Sequence, residues 1–180
     1  PYRNLASTLI AQEKPEEAVT IMEQGIEKTN GAPLLVTGLA SYLERTGQLD
    51  SAIEQYRKVL ADAPDSALAT NNLAMLLIEY KEDDASRTEA KDLAQKLEGS
   101  DNAAYLEPVG WVAFKFDEHD LAVELLGKGV EKSLDAAVIQ FNLAIAHLAQ
   151  GNQYSANTQL ARGVNPNRDV MRVYEPQTAP

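Results

Sequence analysis

Side chains able to do chemistry are sparse in this 180-residue chain. It has no cysteine, which excludes thiol nucleophiles, disulfides and zinc–thiolate sites. One of its two histidines, His119, lies in the acidic stretch FDEHD, where Asp117, Glu118 or Asp120 could join it around a cation. The same pattern suits a solvated helix start, because carboxylates favour the positive end of a helix dipole, and that is the reading adopted. The other, His147, shares a helical column with Leu9, Leu43, Leu77 and Ala113, so a packed or partly buried ring is expected. Neighbouring carboxylates at Glu16–Glu17 and Asp83–Asp84 could serve as an acid/base pair, but on polar turns such neighbours are surface charge. The acidic run at residues 82–84 lacks the alternation and the glycine of a calcium loop. HExxH, GxSxG and Gly-rich phosphate-loop motifs are absent from the sequence. We therefore expect no enzyme, no bound metal and no cofactor.

Asparagines offer a different chemistry. Asn4, Asn72 and Asn142 each stand just before a Leu–Ala pair. A carboxamide both donates and accepts, which suits it to gripping a peptide backbone. Gly38 and Pro108 interrupt the ladder at the equivalent places. Capping or hydration is the plainer use of the same residues.

The elements that would carry these residues follow from a repeat. Ala6, Ala40 and Ala74 recur every 34 residues, as do Ala18 and Ala52, Gly110 and Ala144, and Ala122 and Ala156. Each unit reads as two amphipathic helices. In the second, Leu39, Ala40 and Leu43 form one stripe, and Ile53, Tyr56, Val59 and Leu60 form the next. Gly47 separates them, Pro64 closes the unit, and Asp65 and Ser66 can cap the next helix. The small residues mark helix crossings. No hairpin buries its apolar stripe alone, so hairpins must stack.

The stretches LASYLERTGQLDSAIEQYRKVLADAP, VGWVAFKFDEHDLAVELLGKGV and LAIAHLAQGNQYSANTQLARGV resemble the tetratricopeptide repeat family. A weaker copy, LASTLIAQEKPEEAVTIMEQGI, carries Pro15 in its turn. The resemblance implies an all-α solenoid of about five hairpins in a right-handed superhelix. The array covers residues 1–163, in units of about 1–32, 33–66, 67–102, 103–136 and 137–163, and a tail spans 164–180. The third unit is two residues longer than the period. We expect KEDDASRTEA to lengthen its inter-helix turn, with the second helix delayed to near Ser86 and the turn mobile. Val170, Met171, Val173 and Tyr174 in the tail could cover the last hairpin, or the tail could be disordered.

The resemblance further implies that first helices line a concave groove. Its columns would hold Ser7, Ser41, Met75, Trp111 and Ile145; then Ile10, Glu44, Ile78, Phe114 and Leu148; then Arg3, Thr37, Asn71, Glu107 and Phe141. The candidate partner-binding residues are Asn71, Asn72, Met75, Ile78, Trp111, Phe114, Phe141, Asn142 and Ile145. The other reading of the apolar members is that they pack on one another between helices. The Lys and Arg pairs that hold a C-terminal carboxylate in some members are missing, since Arg3, Arg45 and Lys115 are scattered.

A formal net charge of −11 repels phosphate backbones, so the expected partner is a protein or peptide and not nucleic acid. The longest apolar run, LAMLLI, is far too short for a membrane span. The chain shows no signal peptide and starts at Pro1 without Met, as expected of an excised piece. VGWV in the fourth unit and the long third unit together resemble the last repeats of long bacterial tetratricopeptide proteins. Many of those belong to envelope, secretion or exopolysaccharide systems, which points to the bacterial periplasm or envelope. The expected function is a non-catalytic scaffold binding a peptide or partner helix. The alternative is a structural segment of a longer solenoid or a regulatory region fused to another domain.

Overall fold

A computed structural model describes residues 1–29, 31–100, 102–132 and 137–163. Among them ten helices form and no strand. The helices pair as successive antiparallel hairpins, a helical solenoid, in two compact units divided after Leu97. Unit 1 holds α1 (Tyr2–Ala11), α2 (Pro15–Lys28), α3 (Pro33–Arg45), α4 (Leu49–Asp62), α5 (Ala67–Tyr80) and α6 (Asp84–Gln95). Unit 2 holds α7 (Ala103–Lys115), α8 (His119–Lys132), α9 (Ala137–Ala149) and α10 (Gln153–Gly163). The tail residues Val170, Met171, Val173 and Tyr174 lie outside the described residues.

Helix starts follow local chemistry. Pro15 and Pro33 open α2 and α3, where a missing N–H costs nothing and φ is already set. Pro15 thus begins a helix and does not disturb the turn before it. The Ser66 hydroxyl accepts from the Ala69 N–H, and the Asn102 side chain accepts from the Ala104 N–H at 3.0 Å.

Four of the five inter-helix turns share one geometry. Glu13, Gly47, Asp117 and Gly151 adopt left-handed φ values of 60°, 77°, 59° and 75°. The next residue in each case returns a hydrogen bond to the carbonyl five positions back, as Gln48 N does to Leu43 O at 2.8 Å and Asn152 N to His147 O at 2.9 Å. The third turn differs. Lys81 is extended (φ −118°) and α5 runs one residue further than its counterparts. Asp83 then caps α6, accepting from Ser86 N at 2.9 Å.

This corrects the expectation for the third unit. Its turn is no longer than the others, α6 starts at Asp84 and not near Ser86, and the cap is Asp83. Those capping bonds hold the Asp83 carboxyl below its ordinary pKa. An ion pair from Lys81 to Asp50 also spans this segment. The added residues instead lengthen the connection over 96–102.

Small residues sit where hairpin helices cross. Ala6, Ala18, Ala40, Ala52, Ala122, Ala144 and Ala156 are buried. At Gly110 an added Cβ would lie 2.7 Å from Leu126 Cγ, so α7 and α8 meet there with no room for a methyl group. In the third hairpin Ser86 stands at the matching place and is only half-buried; the first buried small residue of α6 is Ala90, one helical turn later. Large residues fill the space between helices. Leu39, Tyr56, Leu73, Leu76 and Leu77 are almost wholly enclosed in unit 1. Leu126, Val130, Ile139 and Leu143 form the core of unit 2. Each such aliphatic side chain contributes roughly 1.5–3 kcal/mol by leaving water.

Candidate interaction surface

In unit 1 the first-helix residues converge on one buried phenol. Tyr56 projects from α4 and is fully enclosed. Its hydroxyl receives a hydrogen bond from Asn72 Nδ2 on α5 at 2.9 Å and lies 3.1 Å from Ser41 Oγ on α3. The Asn72 amide thus acts as donor to the phenol, and in the contact with Ser41 either hydroxyl can donate. Asn72 Oδ1 in turn accepts from Asn71 Nδ2 at 3.1 Å. The chain of bonds ends at Asn71 Oδ1, which is shut off from solvent and has no partner. Burial raises the Tyr56 phenol above its ordinary pKa; the bonds to Ser41 and Asn72 oppose the rise and the charge of Glu44 adds to it. Glu44 keeps much of its surface in solvent, yet partial burial of its carboxyl raises its pKa as well.

The remaining candidates of unit 1 divide. Met75 is half-buried, whereas Ile78 is only 4% exposed and belongs to the core. Ile78 therefore offers no surface to a ligand. It sits in the last turn of the extended α5, where Leu76 and Leu77 are buried beside it.

Unit 2 presents aromatic rings. Trp111 and Phe114, three residues apart on α7, stack with centroids 5.0 Å apart and planes 14° apart. Lys115 Nζ lies 5.1 Å from the indole centroid. Phe114 also tilts against the His119 ring at 5.5 Å and leans on the core. Trp111, Phe114, Phe141 and Ile145 are all half-buried. Asn142 is buried, and its amide donates to Glu107 Oε1 at 2.7 Å. Asn72 and Asn142 are thus both engaged inside the protein, while Asn4 is exposed.

Sequence reasoning overlooked Tyr56 as a polar group. Its signal was present: the position sixteen residues after the first-helix small residue holds Met22, Tyr56, Leu126 and Leu160, and only tyrosine there carries a hydroxyl.

The residues considered for catalysis or metal binding do not assemble. His119 Nε2 is 3.9 Å from Asp117 Oδ1, and its Nδ1 is enclosed without a partner. His147 is half-buried on α9, also with Nδ1 unpartnered. Among the described residues, no group of three or more His, Asp or Glu is placed to hold a metal ion. No helix among them is long and apolar enough to cross a membrane.

Two segments match family profiles described as tetratricopeptide repeat, residues 2–30 and residues 33–76. The chain contains tetratricopeptide repeats. Solved structures of similar fold include the MamA 41-end structure from Desulfovibrio magneticus RS-1, with TM-score 0.75, 16% identity and 90% of each chain covered. A MamA RS-1 double mutant gives the same TM-score at 15% identity, again over 90% of each chain. TTC0263, a thermophilic tetratricopeptide repeat protein of Thermus thermophilus, gives a TM-score of 0.70 at 21% identity, covering 90% of this chain and 88% of its own. At such identities the likeness concerns the fold. Comparison with curated proteins returns no match.

Proposed function

We propose that the chain is a non-catalytic protein-interaction scaffold whose first helices receive an extended peptide or a partner helix. The observation that carries this reading is the stacked Trp111–Phe114 pair on α7. Large aromatic rings left half-buried beside a core that Leu126, Ile139 and Leu143 already fill are suited to anchoring a partner. Met75 on α5, and Phe141 and Ile145 on α9, add apolar first-helix surface within their own units. Asn71, Asn72 and Asn142 contribute by fixing that surface, since all three of their amides donate to internal bonds. The net charge of −11 favours a protein partner over nucleic acid. A bacterial envelope or secretion assembly is the setting we infer from the resemblance in the long third unit and VGWV.

Trp111 is the sole tryptophan, so its emission reports on the site. Peptides selected from a random display library against the chain should blue-shift that emission. Trp111→Ala should weaken their binding at least about tenfold while helix content is kept. A free protein that already emits in the blue, selects no peptide, and loses the α7–α8 hairpin on Trp111→Ala would defeat the reading.

A further inference from the structure

We infer that the chain's own segment 164–180 lies along α9 and covers its apolar outer stripe, competing in cis with the partner of unit 2. The competition rests on the scaffold reading; the cover does not. Among the described helices, α9 is the one without any Asp, Glu, Lys or Arg. Its Ile139, Leu143, Ala144 and Ala146 are buried, and the helix packs on α8 and α10. Val138, Phe141, Ile145 and Leu148 follow at steps of three, four and three, the spacing of one helix face. Val138 is 60% exposed and Leu148 49%, with Phe141 and Ile145 half-buried between them. A helix that is apolar on every side belongs in an interior. The other first helices carry charge: Arg3 on α1, Glu44 on α3, Glu79 on α5 and Glu107 on α7.

The chain supplies a cover at the right place. Gly163 closes α10 against the start of α9: an added Cβ there would lie 3.1 Å from Gln140 Oε1 and 3.6 Å from the Ala137 carbonyl oxygen. Residues 164–180, which lie outside the described residues, therefore depart beside Val138, at one end of the stripe. From Val138 to Leu148 is about 15 Å of helix. The stretch from Gly163 to Val170 spans at most about 25 Å, so Val170, Met171, Val173 and Tyr174 are within reach of the stripe. Val170, Val173 and Tyr174 follow at i, i+3 and i+4, an apolar pattern to set against it. Arg168 and Arg172 balance Asp169 and Glu175, so the acidity of the chain does not repel the segment. The outer face of α10 is the poorer seat. Apart from Tyr154, its exposed residues are Gln153, Asn157, Ala161 and Arg162, which need no cover.

The test uses the full chain, whose lack of cysteine lets a single nitroxide be attached through Arg172→Cys. Methyl NMR signals of Val138, Ile145 and Leu148 should be broadened more strongly than those of Leu160 on α10. Val138→Asp places a charge in the stripe at an exposed site, and should abolish the broadening at Ile145 and Leu148. Broadening that survives Val138→Asp, that centres on Leu160, or that is absent throughout would overturn the assignment. So would broadening carried only between nitroxide-bearing and isotope-labelled copies in a mixed sample, since the cover would then act in trans. Val173→Asp should tighten binding of the library peptides about tenfold, as freeing a site covered about nine-tenths of the time requires. Equal binding by the parent chain would overturn the competition. The two readings fail separately. Broadening along α9 in a chain that selects no peptide keeps the cover and defeats the scaffold; selected peptides without any broadening do the reverse.

Discussion

Asn72 in unit 1 and Asn142 in unit 2 occupy the same place in their helices, yet they do different work. Asn72 bonds downward to the Tyr56 hydroxyl of the preceding hairpin. The residue that corresponds to Tyr56 in the hairpin before Asn142 is Leu126, fully buried and without a polar atom. Asn142 turns to Glu107 on α7. Two differences go with the change of partner: leucine for tyrosine beneath the asparagine, and Glu107 where unit 1 has Thr37. A repeated residue type does not define a repeated site; its neighbours do.

Exchanging the two buried residues is the strongest way to break this contrast. Tyr56→Leu removes ring volume and strands the Asn72 amide, and should cost on the order of 3 kcal/mol. Leu126→Tyr should not compensate. Leu126 Cγ already lies where a Cβ on Gly110 would be only 2.7 Å away, so a larger ring overpacks the α7–α8 crossing by about 1–3 kcal/mol. Urea unfolding followed by circular dichroism should place the double variant below either single one. A double variant as stable as the parent chain would mean that the two layers are interchangeable and the comparison is empty.

Tyr56→Phe is milder and isolates the hydroxyl. It keeps the ring in place and leaves Ser41 Oγ and Asn72 Nδ2 without their shared partner, for about 1–2 kcal/mol. The phenol pKa is raised in the folded state. Its contribution is therefore complete below the ordinary tyrosine range and falls as pH rises through and above it. The parent chain should lose stability over that alkaline window, and Tyr56→Phe should lose less of it. Parallel curves for the two chains would show that the phenol is not protected by burial.

The period of small residues made the hairpins legible, because Ala or Gly is the only choice where two helix backbones approach closely. Capping at Ser66 was legible for a similar local reason. The third turn was misread because its length was inferred from the spacing Ala74 to Gly110, and that spacing cannot say on which side of α6 the added residues fall. Ile78 was misread because a column defined by a fixed offset does not report burial: Ile78 is enclosed beside Leu76 and Leu77, whereas Glu44 at the matching place in α3 is exposed. The Tyr56 network lay outside sequence reasoning because its members come from three helices and meet only through stacking. The aromatic pair at Trp111 and Phe114, three residues apart on one helix, needed no such assembly.

The smallest effect expected is at the turns, where the third hairpin again departs from its neighbours. Gly47 is left-handed, with nothing within 4 Å of an added Cβ, so Gly47→Ala tests backbone conformation alone. It should cost about 1 kcal/mol. Lys81 holds the corresponding place in the third hairpin but is extended, a conformation open to any residue. Lys81→Ala therefore carries no backbone penalty and removes only the ion pair to Asp50. The Asp50 carboxylate is largely in solvent, so water and salt screen that pair, and its loss should amount to at most about 0.5 kcal/mol. High salt should shrink the Lys81→Ala effect further and leave the Gly47→Ala effect as it was. If Lys81→Ala costs as much as Gly47→Ala and the cost survives salt, the third turn depends on its lysine stem for packing and not on its extended backbone, and the distinction between the two kinds of turn fails.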